Sequence, residues 1–255
     1  MADPRDVFGP SAERYRSSDA HANEAELAHC VAIVRPRGGR VLDVGTGPGH
    51  TAFAFAPYAD AVIGLDPTPE MLGVLRAESV RRGIDRVVGV EGYAEALPFA
   101  DGTFEGVATR SAAHHFRSVP RFLAEARRVL APDGWLLVVD TVGVDDAEAD
   151  DQLDRIEFQR DPSHVRDYTR GRWLKMVAEA GFKPRISEVF PRPLNLEGWL
   201  DRLEVREPMR QRLTDAIMNS RGWLREYFRP HGEGGEATFH LHQIVLVADR
   251  RTTRS

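Results

Sequence analysis

Gly45-Thr46-Gly47-Pro48-Gly49 places three glycines at alternate positions directly after the strand-like run Val41-Leu42-Asp43-Val44. Glycines spaced this way let a chain turn tightly and bring its backbone close to a ligand with no Cβ in the way. A helix starting there adds unpaired N–H groups. Asp66 closes a second apolar run, Ala61-Val62-Ile63-Gly64-Leu65, about 20 residues past the loop. A carboxylate at that offset can accept hydrogen bonds from both hydroxyls of a ribose, or it can cap the helix that begins after Pro67-Thr68. His114 and His115 follow a third run, which ends near Thr109-Arg110. Histidine titrates near neutrality, so either could take a proton from a hydroxyl or an amine. Either could equally pack in the interior and bond a backbone carbonyl. Successive side chains on a helix diverge by about 100°, so only one of the two is expected to face a reacting group. His115 is preferred, with His114 second, because Phe116 can then pack back on the sheet.

Dinucleotide folds favour G-x-G-x-x-G, whereas this loop reads G-x-G-x-G with Asp43 two places ahead of it. In that pattern the chain resembles the class I S-adenosylmethionine-dependent methyltransferases. Gly92-Tyr93-Ala94-Glu95-Ala96-Leu97-Pro98-Phe99, followed by Asp101-Gly102-Thr103-Phe104, is similar to a segment of the ubiquinone- and menaquinone-biosynthesis-like (type 11) family. The resemblance implies S-adenosylmethionine as cofactor. Asp43 would fix the loop and the cofactor's amino group, and Gly45, Thr46, Gly47 and Gly49 would pass its methionine part. Asp66 would take the ribose. The Ala94 N–H would meet the adenine ring, with Tyr93 standing where the family usually has an acid. Pro67, Met71, Glu95 and Arg110 complete the expected cofactor set. Tyr15-Arg16-Ser17-Ser18 with His21 resembles the segment that closes over the cofactor, which makes Tyr15 a third catalytic candidate. The stretch from Asp161 to Tyr168 also resembles the family; Glu157, His164 and Arg166 near it could face the substrate, with a solvated helix face the preferred reading for each.

The implied reaction is methyl transfer to a small molecule through an oxygen, nitrogen or carbon nucleophile. A protein that binds the cofactor without transferring methyl, as a regulator or scaffold, is the alternative. A nicotinamide oxidoreductase fits the glycine spacing poorly. The Asn-Pro-Pro-Tyr type motif of amino-directed DNA methyltransferases is absent after the fourth strand.

The elements that must position these residues alternate. Strands are expected at 40–44, 61–65, 87–90, 104–109 and 135–139, and helices from about 51, from Thr68 as N-cap, over 119–130 and around 173–180. Such alternation argues for an α/β, doubly wound sheet. The resemblance implies a Rossmann-like, seven-stranded, mostly parallel sheet in the order 3-2-1-4-5-7-6, with helices on both faces. A helix over 21–34 precedes the first strand, and 1–20 reads as a polar, mobile arm. Strands at 186–190 and 241–248 bracket about fifty residues of helical patterning, too long for a plain connection. The expected division is an arm at 1–39, a cofactor-binding core at 40–190, a helical cap at 191–238, and the last strand with a tail at 239–255. Trp199, Trp223, Tyr227 and Phe228 suit either an apolar pocket wall or the cap's own core.

Composition narrows the partners. The formal charge of −5 on 255 residues disfavours binding nucleic acid by phosphate neutralisation. A single cysteine excludes a disulfide framework or a multi-cysteine metal site. No metal is expected, because Asp140 at a strand end has no second ligand motif beside it. No stretch approaches the roughly 20 apolar residues that span a bilayer, and no signal peptide is evident. A cytoplasmic enzyme is expected, with a homodimer allowed.

Overall fold

Five parallel strands carry the site at their carboxyl ends. They are β1 (Arg40–Val44), β2 (Ala61–Asp66), β3 (Val87–Glu91), β4 (Phe104–Arg110) and β5 (Leu130–Thr141). β6 (Phe182–Asn195) and β7 (Thr238–Arg250) complete the sheet, with β7 antiparallel to both β5 and β6. The order is β3-β2-β1-β4-β5-β7-β6, as the resemblance implies. The computed structural model describes residues 2–16 and 22–251.

Buried central strands read as continuous apolar runs because both faces are covered. One face carries Leu42, Val44, Val107 and Leu246 against Phe122, Leu123, Ala126 and Val129 of α6 (Val119–Val129), with Trp173 and Val177 of α8 (Arg170–Glu179). The other face carries Val41, Val62, Val139 and Val245 against α3 (Glu24–Val34) and α4 (His50–Phe55). α5 (Pro69–Arg82) covers β2 and β3.

Several elements depart from the sequence expectations. The segment read as a mobile arm forms α1 (Pro4–Phe8) and α2 (Ala12–Arg16), because Ala12, Phe8 and Tyr15 pack on Met71 and Val74 of α5. The helix expected from 21 starts at Glu24, where the Asn23 side chain accepts from the Glu26 N–H. Thr68 occupies the N-cap of α5 but makes no side-chain capping bond. Residues 191–195 belong to β6, not to the cap, because β6 and β7 stay paired as far as Asn195 and Thr238. Between β6 and β7 lie α9 (Leu196–Asp201), α10 (Met209–Met218) and α11 (Gly222–Phe228), where the cap is expected. They share a core with an unexpected helix, α7 (Ala147–Arg160), through Leu153, Ile156, Leu213, Ile217, Phe228 and Phe239. Among the described residues no helix is long and apolar enough to cross a membrane.

Candidate active site

The carboxyl ends of β1, β2 and β4, the glycine loop, α1, α2 and the cap side of the molecule enclose one chamber. Its floor is built by the loop after β1. The Gly45 and Thr46 N–H groups donate to the Leu65 carbonyl at 2.8 and 3.1 Å, tying the loop to the end of β2. A Cβ on Gly45 would lie 2.4 Å from the Ala112 Cβ, so only glycine lets the loop lie against the segment after β4. Gly47 differs: φ is 52°, and a Cβ there would meet nothing nearer than the Met71 sulfur at 3.9 Å. Its backbone therefore faces open chamber. Gly49, expected in the cofactor set, is not on the chamber wall; it packs against Phe53 and Leu75.

Asp43 is also absent from the wall. It is buried, accepts from the Thr46 hydroxyl at 2.7 Å, and burial pushes its carboxyl up to about 6. It braces the loop from behind, and no contact with the cofactor's amino group follows from its position. Asp66 does line the chamber. Its two oxygens accept from the Gly47 N–H and the Thr68 N–H, both at 2.9 Å, and burial raises its carboxyl. One oxygen thus starts the turn into α5, whose N-cap position is Thr68, and the other holds the glycine loop. An ionised carboxylate offers about four acceptor sites, so each oxygen keeps capacity for a further donor.

Pro67, Met71, Tyr93, Ala94, Glu95 and Arg110 also line the chamber. The Tyr93 ring lies 5.6 Å from the Arg117 guanidinium and 5.8 Å from that of Arg5, and its hydroxyl is 3.5 Å from Asp3. The Glu95 carboxylate accepts from the Ser118 N–H at 3.1 Å. Buried Arg110 donates to Thr51 at 2.9 Å and to Glu26 at 2.8 Å, linking β4 to α4 and α3.

His114 and His115 stand in a short 3-10 turn, Ala113–His115. Both line the chamber with ring centroids 4.0 Å apart, so the expected divergence of their side chains is not observed. Each is tilted by a partner behind it. Asp140 at the end of β5 accepts from the His114 backbone N–H at 2.9 Å and holds its Nδ1 at 2.6 Å. The His115 Nδ1 lies 3.2 Å from the Ser163 hydroxyl and 3.3 Å from its carbonyl, and Nε2 lies 3.8 Å from Asp161. Burial opposes charge on both rings, but the Asp140 carboxylate overrides it at His114 and raises that ring to about 9. Burial and the neighbouring His114 drive His115 down to about 3.

Tyr15 lines the chamber, and its carbonyl accepts from His50 Nε2 at 3.0 Å. Ser17, Ser18 and His21 lie outside the described residues. Glu157 and His164 are buried, not solvated, and His164 sits in the loop after α7 at 3.0 Å from Asp154. Arg166 pairs with Asp150 and, at 2.6 Å, with Asp154. Asp154, His164 and Asp167 bring potential ligand atoms within 4.8 Å of one another, and the Arg166 guanidinium already supplies positive charge at Asp154. Of the four cap aromatics, Trp199 reaches the chamber, whereas Trp223, Tyr227 and Phe228 belong to the cap core. The sequence reading missed Arg160, Arg192, Arg202, Leu194 and Leu241 on the chamber wall. They come from α7, the distal ends of β6 and β7, and the residue after α9, and no local motif joins them.

The floor suits an adenosine-type cofactor: an acid with spare acceptor capacity at the end of β2 stands beside a glycine open to the chamber. The description "Methyltransferase domain" matches residues 42–138. The uncharacterized methyltransferase YcgJ of Bacillus subtilis (strain 168) is 35% identical over 196 residues, covering 76% of this chain and 78% of that protein. The crystal structure of the Bacillus subtilis YcgJ protein matches with a TM-score of 0.84 at 30% identity, covering 89% of this chain and 99% of that one. The ubiquinone/menaquinone biosynthesis C-methyltransferase of Paracoccus denitrificans (strain Pd 1222) is 42% identical over 111 residues, 41% of this chain and 44% of its own length. Sheet order, loop and relatives agree, and the chain belongs to the methyltransferase domain family as an S-adenosylmethionine-dependent enzyme.

Proposed function

We propose that this enzyme methylates a small molecule held between the glycine loop and the cap. The observation that carries the reading is the roof of the chamber. Phe8 and Tyr15 line one side, and Leu194, Trp199 and Leu241 line the other, which gives a small acceptor walls on both sides of the cofactor floor. Pockets of this kind combine apolar walls with a few placed polar groups.

S-adenosylmethionine supplies a methyl group on a positively charged sulfur, whose departure needs no protonation. The chain's own residues then align, exclude water and, where the acceptor must lose a proton, accept it. Asp66 would take the ribose hydroxyls, and the Ala94 backbone the adenine. His114 would face the acceptor. Asp140 fixes its Nδ1, and its Nε2 has no hydrogen-bond partner among the described residues. His115 has both ring nitrogens close to Ser163 and Asp161. We assign the proton-accepting role to the neutral form of His114 rather than to the expected His115; with that ring raised to about 9, the neutral form, and with it turnover, should grow as pH rises toward 9.

The test is release of S-adenosylhomocysteine from S-adenosylmethionine across a panel of small metabolites. Turnover with members of that panel supports the reading. Turnover only with folded proteins or RNA overturns it.

A further inference from the structure

Resting on the reading of a small-molecule acceptor chamber, we propose that its cap side is an anion subsite. There Arg160, Arg192 and Arg202 take a carboxylate or phosphate of the acceptor. The three arginines come from separate elements, the end of α7, the distal part of β6 and the residue after α9, and they converge on one cavity.

Each arginine is positioned by its neighbours. The Arg160 guanidinium lies 4.6 Å from the Trp199 ring centroid, and its Nε donates to the Trp199 carbonyl at 3.0 Å. Arg192 is largely enclosed and stands 3.8 Å from Glu26, a carboxylate already bonded to Arg110 at 2.8 Å. The Arg202 Nε is buried without a hydrogen-bond partner. Burial and the nearby Arg160 act together to lower the Arg202 guanidinium to about 10. Among the described residues the lining carboxylates are Asp66, Glu95 and Glu157. Asp66 and Glu95 are bonded to backbone N–H groups at the cofactor end. Glu157 alone lies on the same helix as Arg160, and its Oε1 is itself unpartnered. Among the described lining residues of the cap side, three guanidiniums thus face one carboxylate, with Asp161 behind Arg160 and Glu26 beside Arg192, and guanidinium groups suit the planar oxygen pairs of carboxylates and phosphates.

Inorganic phosphate and acetate serve as probes, each titrated into the full chain saturated with S-adenosylhomocysteine and followed by calorimetry and backbone NMR. Phosphate or acetate should bind at one site in the millimolar range and shift resonances of residues 160, 192 and 202; the tighter of the two identifies the anion. Arg202→Met and Arg160→Met should each weaken that binding about tenfold or more, and Arg202→Lys, which keeps the charge, should lose less. S-adenosylhomocysteine affinity should stay within about twofold in all three. The proposal is overturned if neither anion binds a wild-type protein that does bind S-adenosylhomocysteine, or if Arg202→Met and Arg160→Met, verified as folded by NMR, bind the anion as wild type does. A wild-type protein that fails to bind S-adenosylhomocysteine refutes the cofactor assignment instead.

Discussion

The charge state of the paired histidines can be read without knowing the acceptor. Asp140→Asn keeps the shape of the side chain and removes its charge. In the native protein the carboxylate holds the His114 ring at about 9 against burial, which alone would place it below its ordinary 6.5. Without the charge, His114 should titrate no higher than about 6.5, a difference on the order of 3 kcal/mol between the two protonation states at 1.36 kcal/mol per pH unit. Long-range proton–nitrogen NMR of the imidazole rings reads this directly. His114 should titrate near pH 9 in the wild type and at least two pH units lower in the variant, while His115 stays neutral at pH 5 and above in both. The same shifts set the stability profile. His114 has a raised folded value, so its contribution is complete below pH 6.5 and is lost as pH rises through about 9. His115 has a depressed folded value of about 3, so its neutral burial costs stability as pH falls below 6.5. Chemical denaturation from pH 6.5 to 9.5 should show a fall in the wild type that is absent in Asp140→Asn. A His114 ring titrating at its ordinary value in the wild type would refute the reasoning.

Three further outcomes follow from the site. Once an acceptor is in hand, and if it must lose a proton, His114→Ala should lower kcat by about 10²–10⁴-fold, whereas His115→Ala should cost less; the reverse ranking returns the role to His115. Tyr93→Asp places a carboxylate near Arg5 and Arg117, so calorimetric affinity for S-adenosylhomocysteine should be unchanged or tighter, and a tenfold loss would contradict this. Trp199 is 2% exposed and packs edge-on against Phe239 at 5.1 Å. Trp199→Ala should therefore cost about 3–5 kcal/mol in denaturant unfolding, whereas Trp199→Phe should raise the acceptor KM with little change in cofactor affinity; equal loss of both affinities would count against a cap-side acceptor site.

The parts of the fold legible in the sequence are the local ones. β1, the glycine loop and β2 announce themselves because strand, turn and acid lie within one contiguous stretch, and the loop's bonds to Leu65 and Asp66 stay inside it. α1 and α2 were illegible because their order comes from docking on Met71 and Val74 rather than from their own pattern. α7 hides behind its acids: its buried face holds Leu153 and Ile156 alongside Asp150 and Glu157. β6 and β7 run longer than their apolar cores because pairing with each other, not hydrophobic patterning, extends them under the cap. In the site, Asp66 could be placed from its offset alone. The choice between His114 and His115 could not, since Asp140 lies 26 residues away on another strand. The arginines of the roof become neighbours only when cap and sheet are assembled.

The central claim is that Asp66 and the loop it holds form the floor of an S-adenosylmethionine site, and calorimetry of S-adenosylhomocysteine against wild type and Asp66→Ala tests it most directly. Loss of a carboxylate serving the ribose is worth on the order of 1.5–3 kcal/mol, so the variant should bind about tenfold or more weakly. Affinity within about twofold of wild type would contradict the account.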